Sequence, residues 1–226
     1  MFKALVFKEL RETMGIAVIA LLAYIAAIMN LLGYLVMPFN IFSFVSPSRA
    51  ESIPFLDGQF KSWFFMVSVG FVIALGLKQT VGESVRGTWL LLLHRPTDRR
   101  RLIVIKLAIG TVLYLIVSAI ALLIYATWAA APGTHASPFY WWMTVPYWET
   151  WIIFVLGYLG AFFTGIRPGR WFGTRLLPLA AAGILAVFVG GMTIEASWFL
   201  GFAAFALLCA MGVGLILFVV RTRDYS

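Results

Sequence analysis

Six long apolar stretches separated by short polar or basic segments set the pattern of the chain. They fall at 15–37, 62–77, 107–131, 148–166, 176–194 and 196–220. A membrane-crossing helix needs about 20 mostly apolar residues, so the pattern predicts an all-α polytopic membrane protein with six transmembrane helices. The second stretch is short, but apolar-rich sequence precedes it. The fourth begins at Glu149. The fifth and sixth are parted only by a tight turn near Glu195 and read as a helical hairpin. The first is too long for the core of a signal peptide and no small-residue cleavage site follows it, so it reads as a retained helix. With no internal repeat and no low-complexity stretch, residues 1–226 form a single transmembrane domain.

Composition agrees with the pattern. The chain is 62% hydrophobic and 12% charged, against roughly 45–50% and about 25% for soluble domains. A soluble fold and intrinsic disorder are both excluded. One cysteine, Cys209, excludes a disulfide framework and cysteine-based metal sites. His94 and His135 are expected on opposite sides of the membrane, so no metal site is expected either. The net charge of +8 follows from topology, because Lys and Arg collect in cytoplasmic loops. With the N-terminus inside, 15 of the 17 Lys and Arg residues fall in inner segments, and only Arg49 and Lys61 fall outside. The orientation is therefore N-in/C-in, with no need to invoke nucleic acid. On the outer side, the aromatics of 139–142 and 147–151 bracket the fourth span and form an interfacial belt.

The inner segment 78–106 is the densest charge cluster. A helix is expected to continue past Leu77 through Glu83 and Arg86, which sit three apart on one face and can pair. Gly87 and Thr88 interrupt it, Trp89 to Leu93 is an apolar run too short to span, and Pro96 ends an element at Arg95. Thr97 or Asp98 then caps the next span. The outcome is a short helix along the inner surface. At the N-terminus, Phe2, Val6 and Leu10, with Phe7 and Met14 nearby, make an apolar stripe at helical spacing. That stripe predicts an interfacial helix over 1–13, the alternative being an inward extension of the first span.

The pattern Glu83-x-x-x-Gly87-Thr88, Leu91-Leu92, Pro96-x-x-Arg99-x-x-Leu102 and Lys106 resembles the membrane (permease) subunits of ABC transporters of the ABC-2 type. The opening, from Met1 to Glu12, resembles that family's N-terminal interfacial helix, and six spans with both ends inside also match. The Arg99–Arg101 run is richer than the pattern requires, and the connection between spans five and six is shorter than in many members. The resemblance implies that the loop is a coupling helix docking on a separate ATP-binding subunit through Glu83, Arg86, Gly87, Thr88, Pro96, Arg99, Arg100, Arg101 and Lys106. It also implies a second permease, identical or not, and a path lined by the second and fifth spans, with Phe64, Phe65, Ser68 and Phe71 as candidates; Asn30, a polar position within the first span, is a further candidate from its polarity alone.

The chain lacks a G-x-x-x-x-G-K-[ST] sequence, so no phosphate-cradling loop is present and it carries no ATPase motif of its own. ATP and Mg²⁺ are expected on the partner subunit and no cofactor on this chain. No Ser-His pair or carboxylate dyad falls at one membrane depth, which disfavours an intramembrane enzyme. The spans read as almost free of ionisable residues. That argues against proton or sodium coupling and suits a path powered from outside the bilayer. Asn30, Ser68, Ser118 and Thr164 are more commonly packing residues. Small residues in the fourth, fifth and sixth spans permit close helix approach. The resulting expectation is the permease of an ATP-driven exporter in the bacterial plasma (inner) membrane, in contact with lipid. The alternative is a non-transporting anchor or assembly factor that recruits a cytosolic partner through its basic loop.

Overall fold

The computed structural model describes residues 2–34, 53–56, 58–85, 99–134, 138–167, 174–195 and 198–222. Among them, six helices are long and apolar enough to cross a membrane: α1 (Phe2–Leu31), α2 (Gln59–Val85), α3 (Arg99–Ala130), α4 (Val145–Ile166), α5 (Leu177–Glu195) and α6 (Trp198–Thr222). Short 3₁₀ turns, Trp141–Thr144 and Thr174–Leu176, lead into α4 and α5. The chain is an integral membrane protein by the length and apolarity of these helices.

The helix ends have local causes. Pro146 sits in the first turn of α4, where a missing amide proton costs nothing. Arg167, in extended conformation before Pro168, ends that helix. The first three helices are longer than their apolar stretches. α3 begins at Arg99 rather than near residue 107, and α2 runs on to Val85, as the pattern through Glu83 predicts. α1 is unbroken from Phe2, so the segment expected as an interfacial helix over 1–13 continues directly into the first span. Its face also differs from expectation: Glu9 and Thr13 turn inward while Phe7 and Met14 are exposed.

α4 is the hub. It packs most closely on α2 and α5, and also on α6 and α3; α1 packs on α2 and α3. The contact between α2 and α4 is made by small residues in register. Gly157 faces Val72, Ala161 faces Gly76, and Gly165 faces Thr80. Each step is four residues on both helices, so the two run parallel with their backbones close. A Cβ on Gly76 would lie 2.8 Å from both Ala161 Cβ and Phe162 N. On the other side of α4, Gly160 admits Ala182 of α5.

The helices alternate in direction, and the bundle has two ends of different character. At the end opposite the N-terminus, Phe55, Phe60, Tyr125 and Tyr147 form a ring cluster, with Phe60 and Tyr125 stacked at 4.1 Å. Phe55 holds φ at +68°, a region unfavourable to a bulky residue. Its ring is clasped by that cluster, and its carbonyl accepts a 2.9 Å bond from Tyr147 Oη. The expected aromatic belt is thus divided. Tyr140, Trp141 and Trp142 are exposed, whereas Tyr147 is core and Trp151 donates to Leu115 O at 3.1 Å.

Candidate functional site

At the end holding the N-terminus, four helices converge on a buried polar cluster. Lys106 Nζ lies 2.8 Å from Glu9 Oε1, and both side chains are about 1% exposed. Lys106 Nζ also donates to Gln79 O at 3.5 Å, while Gln79 Nε2 donates to Lys106 O at 3.1 Å. Tyr158 Oη donates to Gln79 Oε1 at 2.6 Å and sits 3.3 Å from Lys106 O. One residue each from α1, α2, α3 and α4 therefore meets in a closed network. Gly110, one turn along α3 from Lys106, makes the room, since a Cβ there would strike Tyr158 Oη and come within 2.7 Å of Gln79 Oε1.

The cluster's depth follows from helix geometry. Glu9 and Lys106 each lie seven residues inside the start of their helix, about 10 Å at 1.5 Å per residue. Thr80, next to Gln79, packs on Gly165 near the end of α4. There Thr164 Oγ1 accepts from Leu179 N at 3.2 Å, and Arg175 donates to the carbonyls of Thr164 and Gly165. The cluster is thus level with the start of α5, close to where the apolar layer begins. Protein on all sides, rather than lipid or water, surrounds the charges. Isolated charges are costly there, so a buried pair must satisfy itself.

Chemically, the arrangement ties helices together. Gln79 and Lys106 exchange bonds seven residues or fewer from the ends of α2 and α3, the helices that flank segment 86–98. Glu9 then joins this pair to α1, and Tyr158 joins it to α4. Among the described residues no group of three or more His, Cys, Asp and Glu could hold a metal ion.

Of the residues predicted for coupling, Arg86, Gly87, Thr88 and Pro96 lie outside the described residues. Glu83 lies in the last turn of α2, and Arg99 opens α3. Arg100 and Arg101 are exposed. Lys106 belongs to the buried cluster instead of to this exposed basic run, because α3 starts well before it. The expectation that the spans are almost free of ionisable residues fails for the same reason: the longer helices bring Glu9 and Lys106 inside.

Of the path candidates, Phe64, Ser68 and Phe71 are core. Ser68 Oγ is 2.7 Å from Tyr24 Oη, and the Tyr24 and Phe64 rings lie 5.5 Å apart. Asn30 is half-buried near the end of α1. Phe65 is exposed and lines a groove of about 360 Å³ between α2, α4 and α5. A second groove of about 350 Å³ lies between α4, α5 and α6, with Arg167 at one end.

Glu9, Gln79 and Tyr158 went unnoticed in the sequence, yet a signal was present. Lys106 is a lone charge flanked at three- and four-residue spacing by Leu102, Ile103, Ile109 and Gly110, whereas Glu9 shares its face with Leu5, Val6, Glu12 and Thr13. A charge on an otherwise apolar or small-residue stripe needs a partner from another helix. No family model, curated protein or solved structure matches the chain.

Proposed function

We propose that this protein is the permease subunit of an ATP-driven exporter of the ABC-2 type, with N-in/C-in topology, paired with a second permease and docked on ATP-binding subunits in a bacterial plasma membrane. One observation carries the reading beyond the sequence resemblance: the Glu9–Lys106–Gln79–Tyr158 network ties together the ends of α2 and α3 that segment 86–98 joins along the chain. A push on that basic segment by a nucleotide-driven partner reaches α2 and α3 first. The network makes α1 and α4 follow, so the first four helices move as one body. Glu83, Arg86 and Arg99–Arg101 offer the docking charges, and Lys106 transmits the movement. Net transport then requires that the substrate bind the two states with different affinity.

A second reading is favoured by the buried side chains around Ser68 and Phe71, which fill the α1–α3 packing among the described residues. In it, the chain is a non-transporting anchor for a cytosolic partner. Nucleotide dependence separates the two. The tagged chain, drawn from its native membrane in mild detergent, should bring down a stoichiometric subunit with a phosphate-binding loop. Arg100→Glu should reduce that recovery several-fold, and Glu83→Ala should uncouple ATP hydrolysis from transport, with folding of both variants unchanged. Recovery alone, or with a partner lacking any nucleotide motif, rejects the exporter.

A further inference from the structure

We infer that the groove between α2, α4 and α5 is a binding site for one acyl chain of a zwitterionic phospholipid, whose headgroup is held by Lys61 and Glu149. The polarity of the groove is graded along its length. Of its sixteen lining residues only Lys61, Glu149 and Thr150 are polar, and all three lie at one end. Everything beyond is aliphatic, aromatic or glycine. From Lys61 to Ile73 on α2 is twelve residues, about 18 Å; from Gly190 to Leu179 on α5 is eleven, about 16 Å. A hydrocarbon layer of about 30 Å gives each leaflet about half of that. The groove therefore has the depth of a single leaflet, with its charges where headgroups lie.

The headgroup class follows from the two charges. Lys61 acts electrostatically on Glu149, but among the described residues neither is in a close ion pair. Lys61 is exposed and Glu149 half-exposed, so both can take a ligand. The Thr150 hydroxyl is satisfied by Pro146 O at 2.8 Å. An anion on the ammonium and a protonated amine on the carboxylate complement both charges, and a phosphate–ethanolamine headgroup supplies the two together. At about 360 Å³ the groove is at the small end of ligand sites, which run about 300–1,000 Å³. It takes one chain and leaves the other in the bilayer. Glycine keeps it open: a Cβ on Gly183 would meet nothing within 4 Å, so a side chain added there enters the groove without displacing protein.

The test uses the full chain in neutral maltoside micelles with phosphatidylethanolamine bearing a photoreactive group at the end of one acyl chain. Labelling should map to the groove faces of α2, α4 and α5. Unlabelled phosphatidylethanolamine should compete severalfold better than phosphatidylglycerol or diacylglycerol. Gly183→Trp should cut labelling at least tenfold. Lys61→Ala and Glu149→Gln, at sites too exposed to unfold the bundle, should each weaken competition about two- to fivefold, the scale of one exposed charge contact. Labelling spread over all helix faces, or undiminished in Gly183→Trp, overturns the proposal, as does equal competition by the three lipids. Absence of label together with disulfide-linked dimers of Val187→Cys also overturns it and assigns the groove to a second copy. None of these outcomes depends on ATP, so failure here is distinct from failure of the exporter reading.

Discussion

The α1–α4 body and the α5–α6 pair are made of similarly apolar helices but are held in different ways. In the first, polar atoms face inward: the Glu9–Lys106 network, Tyr24 on Ser68, and Tyr114 Oη donating to Trp151 O at 3.1 Å. Small residues bring α2 and α4 into backbone contact. In the second, Val187, Phe188, Phe199 and Phe218 are all more than 60% exposed, and α5 is pinned chiefly at its start by Thr164, Arg175 and Gly160. Within a bilayer, apolar surface gains little by facing another helix instead of lipid. Specific adhesion there has to come from close packing and hydrogen bonds. The first four helices have both, while the last two meet the bundle mainly through α4. The lightly held part is therefore α6, which packs less on any one neighbour than α5 does on α4.

The largest test of this contrast is the ion pair. Lys106→Met alone should destabilise the protein by about 3–5 kcal/mol, because it strands a buried carboxylate. Adding Glu9→Gln should recover most of the loss. Denaturant unfolding in bicelles reads both, and equal stability of the single and double variants would remove the pair from the framework. Next in size is a matched pair of glycine substitutions. Gly165→Val drives a side chain into Thr80 and should cost about 1–3 kcal/mol. Gly183→Leu on α5 should stay within about 0.5 kcal/mol of the parent. Similar losses at both positions would erase the difference between the two parts. Smallest is Tyr24→Phe, which deletes the Ser68 bond and should cost about 0.6 kcal/mol, the average for such bonds in membranes.

The membrane fold was largely legible in the sequence because six apolar runs need only length and composition to be read. The helix starts were not. Hydropathy stops at the first charge, so Glu9 and Lys106 were assigned to the flanks although their helices continue past them. A charge is tolerated within a helix when another helix brings its partner, and that pairing over a long sequence separation leaves no mark in a hydropathy window. Ser68 was expected to bond between helices and does so with Tyr24, whereas the buried Ser118 donates back to Tyr114 O of its own helix at 2.5 Å. Phe64 and Phe71 were path candidates through the family resemblance, and their burial in the core was not legible because a stripe of aromatics does not say which side is filled. Tyr147 and Trp151 looked like belt residues because composition cannot tell a ring facing headgroups from one facing Phe55 or Leu115.

The buried ion pair also imposes an order on the protein's birth. Glu9 leaves the ribosome about a hundred residues before Lys106, an interval of about 5–20 s at ordinary synthesis rates. Throughout it, the carboxylate on α1 lacks the Lys106 ammonium that meets it in the finished fold. The first helix must wait near the aqueous boundary until the third arrives, and only then can both settle to final depth. A chain interrupted before α3 never acquires the Lys106 partner of Glu9, and the link between the first and third helices cannot form.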